Sequence, residues 1–250
     1  MSSAVKKIIE TKSFEEIVKH LSANTLILFD VDNTLIEACQ HFGSVQWGED
    51  YQQKLIQEGQ SPDQANRLLH EFWIQKILPV IPMRLVDEKI PAMMEFIRQK
   101  GHFILGLTAR HPDEACYTHP QLSQFGISFD HLYPNQQIEL QHPAVYEQGI
   151  LFCGVQNKKS ETLKNFITKN NLAPQRVIFV DDKVSQIEDV KRGLDPFDMD
   201  YIGIRLSATD VRVQSYDPRI AEIQAKFLPH FLSDEEAHQL LLQHEGKRLW

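Results

Sequence analysis

The sequence predicts an α/β protein in which a parallel sheet lies between layers of helices. Three runs of apolar residues have the length of strands and are apolar enough to be buried on both faces; they are 26–29, 103–107 and 177–180. Segments with helical spacing of apolar residues separate these runs, and strands that alternate with helices are typical of βαβ units. We therefore expect a three-layer, Rossmann-like parallel sheet.

The other elements are predicted from capping signals and apolar spacing. Ser13 opens a capping box, which predicts a short helix before the first strand. Ser61 followed by Pro62 predicts a helix start, and Gly101 after an apolar helical pattern predicts a helix end. Further helices are predicted to begin near Ser160, Val184, Pro218 and Ser233, and further strands are predicted within 125–133, at 201–206, and as a hairpin of 144–146 with 150–153.

The pattern changes between the first two buried strands. Residues 36–83 contain loop signals and polar helical segments, so we expect a small helical insertion over the end of the first strand. Residues 1–35 and 84–250 are then the α/β core. Trp47 lies in a predicted loop, where it could line a substrate pocket.

Composition disfavours several classes of partner. The chain has 34 acidic and 26 basic residues, a net charge of −8 and no block of basic residues, so we expect neither a nucleic-acid nor a membrane partner. We expect no secretory signal, because the first apolar run is only Ile8–Ile9, and no window reaches 18 apolar residues. Three widely spaced cysteines predict no disulfide framework and favour the cytoplasm, with export that needs no amino-terminal signal left open.

Polar residues follow each of the three buried strands. The carboxyl ends of parallel strands share one edge of a sheet, so these residues can converge there. Carboxylates would suit Mg²⁺, which prefers oxygen ligands, while a hydroxyl and an ammonium would suit phosphate. Asp32 and Thr34 could instead only close a turn by bonding their own backbone. The residues are Asp30 and Asp32 after the first strand, Thr108 at the second, Asp181 and Asp182 at the third, and Lys159 before a helix.

Four segments resemble, in order and spacing, the motifs of the haloacid dehalogenase superfamily. They are Asp-Val-Asp-Asn-Thr at 30–34, the strand ending in Thr108, Lys-Ser-Glu-Thr-Leu at 159–163, and Phe-Val-Asp-Asp at 179–182. The resemblance covers about residues 22–206. It implies a fold of that superfamily with a small helical cap after the first strand. It also implies a Mg²⁺-dependent phosphomonoesterase that acts through an aspartyl-phosphate intermediate.

The resemblance also assigns roles to individual residues. Asp30 would be the nucleophile and Asp32 the general acid and then the general base. Asn33, Thr108 and Lys159 would bind the phosphate. The metal ligands would be the Asp30 carboxylate, the Asp32 backbone carbonyl and Asp182, with Asp181 as the alternative to Asp182.

Some positions depart from the superfamily pattern or stay open. Lys158 is an alternative to Lys159, and Ser160 stands where relatives carry glycine. Gln186 replaces the usual Asp or Asn after the last motif, so a metal role there is in doubt. Arg110 could clamp a substrate phosphate or carboxylate, or simply pair with a surface acid.

The implied substrates are small phosphomonoesters or phosphorylated protein side chains such as phosphotyrosine. An insertion as short as 36–83 would leave the site open enough for either class. Two alternatives remain, a phosphate- and metal-binding scaffold protein without useful turnover and a phosphomutase. The sequence does not indicate an oligomeric state or a particular substrate.

Overall fold

The computed structural model describes residues 4–244, and these residues form two units. One unit comprises 4–36 with 85–209, and the other comprises 37–84 with 210–244. The first segment of the second unit, 37–84, therefore nearly coincides with the expected insertion, 36–83. The second unit differs from the expected division because the carboxyl-terminal segment groups with the insertion and not with the α/β core.

The first unit is built on a mostly parallel sheet with flanking helices, which confirms the α/β class. Within residues 4–244 its eight strands lie in the order β1-β10-β9-β2-β5-β8-β7-β6, and β3 and β4 form a separate two-stranded sheet. Pairing is parallel from β1 to β8 and antiparallel where β7 joins β8 and β6. The strands are β1 Lys6–Thr11, β2 Thr25–Phe29, β3 Ile36–Ala38, β4 Met83–Leu85, β5 Phe103–Thr108, β6 Gln136–Gln137, β7 Val145–Glu147, β8 Ile150–Phe152, β9 Arg176–Asp181 and β10 Asp200–Leu206.

Strand β2 is central because its side chains are apolar on both faces. Leu26, Ile27, Leu28 and Phe29 are all buried, as expected for a strand covered by helices on both sides. On neighbouring β5, Gly106 pairs with Phe29 and lets β8 approach closely, since a Cβ atom there would lie 2.9 Å from an Ile150 side-chain carbon.

Four helices and two 3₁₀ turns complete the first unit. Capping signals and apolar spacing correctly predict most of them, but the helix Ala115–Ser123 was not predicted. The strand expected within 125–133 is wrong, because no strand forms there. Strand β1 was also not predicted: it is an edge strand with polar residues at both ends, so it lacks a continuous apolar run. The helices are α3 Ile90–Gln99, α4 Ala115–Ser123, α5 Lys159–Lys169 and α6 Val184–Gly193, and the 3₁₀ turns are Phe14–His20 and Pro112–Glu114.

The second unit is helical. Trp47 lies in its first helix and is buried, with its ring centroid 4.9 Å from that of Phe42 and 6.2 Å from that of Trp73. The expectation of Trp47 in a pocket-lining loop is therefore wrong. Ala221 packs into the same aromatic core, which explains why the carboxyl-terminal helices belong to this unit. Its helices are α1 Val45–Gln57, α2 Pro62–Phe72, a π-helical turn Trp73–Ile77, α7 Asp210–Gln214, α8 Pro218–Lys226 and α9 Asp234–His244.

Two further observations concern the chain as a whole. Among residues 4–244, no helix combines the length and apolar character needed to cross a bilayer. Cys39, Cys116 and Cys153 are free thiols.

Candidate functional site

The carboxyl ends of three strands of the first unit lie side by side. In the register of the sheet, Phe29 of β2 pairs with Val180 of β9 on one side and with Gly106 of β5 on the other. The Asp30 backbone N–H continues the ladder by donating to the Val180 carbonyl at 2.9 Å. Asp30 is therefore adjacent to Asp181, and the end of β5 lies on its other side.

A lysine from α5 joins two of these carboxylates. Lys159, the first residue of α5, places its Nζ 2.6 Å from Asp30 Oδ1 and 2.7 Å from Asp181 Oδ2. All three side chains are buried, and buried charges are stable only when they are paired. Burial alone would lower the pKa of Lys159, but the charges of Asp181 and Asp30 outweigh it and raise that pKa. Lys159, and not the exposed Lys158, occupies this position.

Asp182 adds a third carboxylate to the group. Oxygens of Asp30, Asp181 and Asp182 lie within 4.8 Å of one another. Burial raises the pKa of Asp30 well above its ordinary value although Lys159 opposes this. Burial and then the charge of Asp181 raise the pKa of Asp182 to about 7. Both shifts have the same origin, since a single lysine does not balance three carboxylates in a poorly solvated place.

The donor set fits a hard divalent cation. Mg²⁺ takes oxygen ligands, and one or two protein carboxylates suffice because water and substrate complete its shell. Asp181 already uses both of its oxygens, one with Lys159 and the other with the Lys183 backbone N–H at 2.7 Å. Asp30 and Asp182 are therefore better placed than Asp181 to bind a cation directly.

Asp32 does not merely close a turn. Its two carboxylate oxygens accept from Arg110, from Nη2 at 2.7 Å and from Nε at 2.9 Å. Arg110 is buried, and its remaining fork reaches Thr118 and Gln121 of α4. Burial would lower the pKa of Arg110, but the Asp32 charge raises it. Neither expectation for Arg110 describes this arrangement fully: it pairs with an acid, but the acid belongs to the site.

Side-chain hydroxyls hold the loops that carry these groups. Thr34 Oγ1 accepts from the Asp182 backbone N–H at 3.1 Å, and Thr108 Oγ1 accepts from the Arg110 N–H at 3.1 Å. Asn33 is buried with a left-handed φ of +57°, a conformation that Asn tolerates better than most residues. Its side-chain amide lowers the pKa of Asp182, yet its nitrogen has no acceptor in hydrogen-bond geometry within the described chain.

Several supporting residues were not identified from the sequence. Lys158 is the N-cap residue of α5, but its side chain does not cap the helix. An Asp189 carboxylate oxygen from α6 accepts instead from the Ser160 N–H, in the first turn of α5, at 3.0 Å. Ser160, where the resembled family carries glycine, packs against Gly193, where any side chain would collide. These partners are distant in sequence, so no local pattern indicates them. The others are Thr118 and Gln121, which contact Arg110, and Arg205, which donates to the Asp182 carbonyl at 3.0 Å.

Comparison with known proteins gives a family but no activity. Relatives in Chlamydia pneumoniae, Chlamydia muridarum and Chlamydia trachomatis, each named "Putative outer membrane protein", are 24% identical over 239, 248 and 247 residues. These alignments cover 94%, 98% and 98% of this chain and 90%, 93% and 93% of the relatives. No solved structure matches the chain. A family model described as "Protein of unknown function (DUF2608)" matches residues 10–238, and the chain therefore belongs to the DUF2608 family.

Proposed function

We propose that this protein is a Mg²⁺-dependent phosphomonoesterase of the haloacid dehalogenase type that acts through an aspartyl-phosphate on Asp30. The observation that carries the proposal is the Lys159 ammonium bound between Asp30 and Asp181. A buried carboxylate beside a fixed cation suits phosphoryl transfer to that carboxylate, because catalysis of such transfers depends mainly on positioning and charge neutralisation.

Two steps follow from this arrangement. Lys159 holds Asp30 Oδ1, so Oδ2 is the oxygen that attacks phosphorus while the bond to the ester oxygen breaks. Asp32 donates a proton to the leaving oxygen in the first step. In the second step Asp32 takes a proton from water, whose oxygen attacks phosphorus and releases inorganic phosphate from Asp30.

The other residues bind and neutralise the phosphate. The Lys159 ammonium, the Thr108 hydroxyl and the Asn33 amide would donate to its oxygens, and the buried position of Asn33 beside Asp182 supports this role. When bound, Mg²⁺ would supply the additional positive charge, held by Asp30, the Asp32 backbone carbonyl and Asp182, with Asp181 as the alternative. Asp182 is favoured because both Asp181 oxygens have protein donors.

The state of the nearest thiol also favours a carboxylate nucleophile. Cys153 follows β8 and is fully buried, and burial raises its pKa to about 12. The thiolate is the reactive form of cysteine, so this residue is inert at neutral pH.

The substrate class is part of the proposal: small phosphomonoesters or phosphorylated protein side chains such as phosphotyrosine. The second unit begins at residue 37, soon after the segment 30–34, which is where the resembled family inserts its cap. A role as cap is therefore proposed for it. With 210–244 included, this unit is larger than the insertion expected from the sequence.

Turnover of p-nitrophenyl phosphate tests the proposal. Purified protein should release p-nitrophenolate with Mg²⁺ and lose this activity in EDTA. Asp30→Asn should lower kcat by at least about 10³-fold, since it removes the attacking oxygen's charge. Asp198→Asn, an equivalent change at an exposed position, is the control and should keep full activity. Activity that survives EDTA or Asp30→Asn would refute the proposal.

One observation favours the scaffold alternative: Asp32 is engaged by Arg110 and so is occupied before substrate arrives. A scaffold protein should gain thermal stability from Mg²⁺ with phosphate and hydrolyse no phosphoester in a broad panel. A phosphomutase would retain labelled phosphate within its product.

Cellular location is tested separately. We expect the cytoplasm from cysteine usage, whereas the curated relatives are named as outer membrane proteins. Fractionation of cells that produce the full chain, followed by immunoblotting, distinguishes the two: recovery with the envelope contradicts the cytoplasmic proposal.

A further inference from the structure

The Arg110 side chain is almost fully occupied by protein acceptors. A guanidinium has five N–H donors. Two of those in Arg110 reach the Asp32 carboxylate, and Nη1 reaches Thr118 Oγ1 at 2.9 Å and Gln121 Oε1 at 2.8 Å. Four of the five donors are thus committed within the described chain.

The two acceptors on α4 are arranged for this arginine. Thr118 donates its hydroxyl proton to the Glu114 carbonyl at 2.9 Å, which turns a lone pair of Oγ1 toward Arg110. Thr118 and Gln121 are both buried, and a buried polar side chain is costly without a partner. Their polar character on the inner face of α4 is explained by the guanidinium that they hold.

This arrangement argues against a direct contact between Arg110 and substrate. To clamp a phosphate with two donors, the guanidinium would have to release Thr118, Gln121 or the partly exposed Asp32 carboxylate, because only one of its N–H donors is uncommitted within the described chain. Releasing Thr118 or Gln121 would take a hydrogen bond away from a buried acceptor, which is unfavourable. The planar Arg110 guanidinium is hydrogen-bonded to Asp32 on one side and to α4 on the other, so it is better suited to orient the Asp32 carboxylate than to bind substrate.

We infer that Arg110, Thr118 and Gln121 are positioning residues for the acid/base Asp32: α4 fixes the guanidinium, and the guanidinium fixes the carboxylate. The inference rests on the proposed phosphatase function and extends it to a helix that no motif includes. Positioning matters because a displacement of about 1 Å can lower a rate about 10²-fold. Loss of an α4 partner should therefore reduce kcat without weakening substrate binding.

Steady-state kinetics with p-nitrophenyl phosphate and Mg²⁺ test the inference on the full chain. Thr118→Val and Gln121→Met should each lower kcat by about three- to ten-fold and change KM by less than about two-fold. Thr118→Ser and Gln121→Glu, which keep the acceptor oxygen, should recover most of the lost kcat. Ser123→Ala, at an exposed position of the same helix, controls for a general effect on α4.

A double-mutant cycle separates positioning from a general structural role. Arg110→Met should lower kcat by about 10- to 100-fold. In that background Thr118→Val should have no further effect, because the link from α4 to Asp32 is already cut. An equal loss of kcat from Thr118→Val in both backgrounds would overturn the inference. A raised KM with unchanged kcat in Arg110→Met would also overturn it, since that result assigns Arg110 to substrate binding.

The affinity for orthovanadate in the presence of Mg²⁺, measured by calorimetry, provides a readout that needs no turnover. Arg110→Met should retain the wild-type affinity within about two-fold, because the arginine does not touch the oxyanion. A loss of about ten-fold or more would overturn the inference even if the phosphatase proposal holds. Wild-type protein that binds vanadate without turnover refutes the phosphatase proposal and, with it, the inference; a loss of vanadate affinity in Arg110→Met beside normal wild-type turnover overturns the inference alone.

Discussion

Asp182→Asn should stabilise the metal-free protein at pH 8 and remove its stabilisation by Mg²⁺. The folded protein raises the pKa of Asp182 from 3.8 to about 7, by burial and by the charge of Asp181. A shift of about three units at about 1.4 kcal/mol each gives an upper limit of ~4 kcal/mol, and partial exposure reduces it to ~2–3 kcal/mol. For a chain of this length that corresponds to a rise in Tm of about 4–12 °C.

The gain depends on pH in a defined direction. Because the pKa of Asp182 is higher in the folded than in the unfolded state, the neutral carboxyl favours folding below about pH 4. This stability is lost as the pH rises through about 7. Asn carries no charge and has no such dependence. Wild type and Asp182→Asn should therefore have similar stability near pH 4, and the difference between them should grow up to about pH 8.

Mg²⁺ should stabilise wild type relative to Asp182→Asn, which is the opposite of the order expected in EDTA at pH 8. A ligand at one hundred times its Kd adds about 2.7 kcal/mol to the stability of the state that binds it, so wild type should gain and Asp182→Asn should not. Thermal melts in EDTA and in Mg²⁺ at pH 4, 6 and 8 measure all of these effects. Asp198→Asn, an exposed carboxylate, should shift Tm by less than about 1 °C. The reasoning is refuted if Asp182→Asn is less stable than wild type at pH 8 in EDTA. Equal stabilisation of both proteins by Mg²⁺ would instead favour Asp181 as the ligand.

Three further substitutions test the site. Lys159→Met should destabilise the protein by about 3–5 kcal/mol in a urea titration, because it leaves two buried carboxylates without their cation. The exposed Lys158→Met is the control and should have no measurable effect. Similar urea midpoints for the two variants would contradict the pairing of Lys159 with these carboxylates. Thr34→Val should cost about 1–2 kcal/mol through loss of the acceptor for the Asp182 N–H, with Thr34→Ser retaining stability in the same urea titration. Asp189→Ala should cost about 1 kcal/mol and increase amide exchange in the first turn of α5, and unchanged exchange there would show that the cap is dispensable.

The sequence was sufficient for the central strands and for the acidic edge of the sheet. Residues 26–29, 103–107 and 177–180 are apolar without interruption, and such runs have few alternatives to a buried strand. Once those strands are parallel, their following residues must share an edge. The meeting of Asp30, Lys159 and Asp181 could therefore be expected before any coordinates were known.

Elements with weaker local signals were not predicted. Strand β1 has polar residues at both ends and forms only because β10 offers a parallel neighbour. Helix α4 has few apolar residues and an internal proline, Pro120, so its periodicity is poor. The residues around Trp47 have the composition of a loop. In the structure Trp47 lies in a helix, and packing against Phe42 and Trp73 buries its side chain. In each case a tertiary contact outweighs the local preference.

By itself, the sequence determined the α/β class, the positions of the central strands along the chain and the polar residues that follow them, because hydrophobic periodicity is a local property. Only the tertiary structure decided which partner each charge has. In the structure Asp32 pairs with Arg110, Arg110 bonds to side chains of α4, and residues 210–244 group with the helical unit. Asp32 and Arg110 are 78 residues apart in the chain, and all of these contacts depend on packing that no single segment encodes.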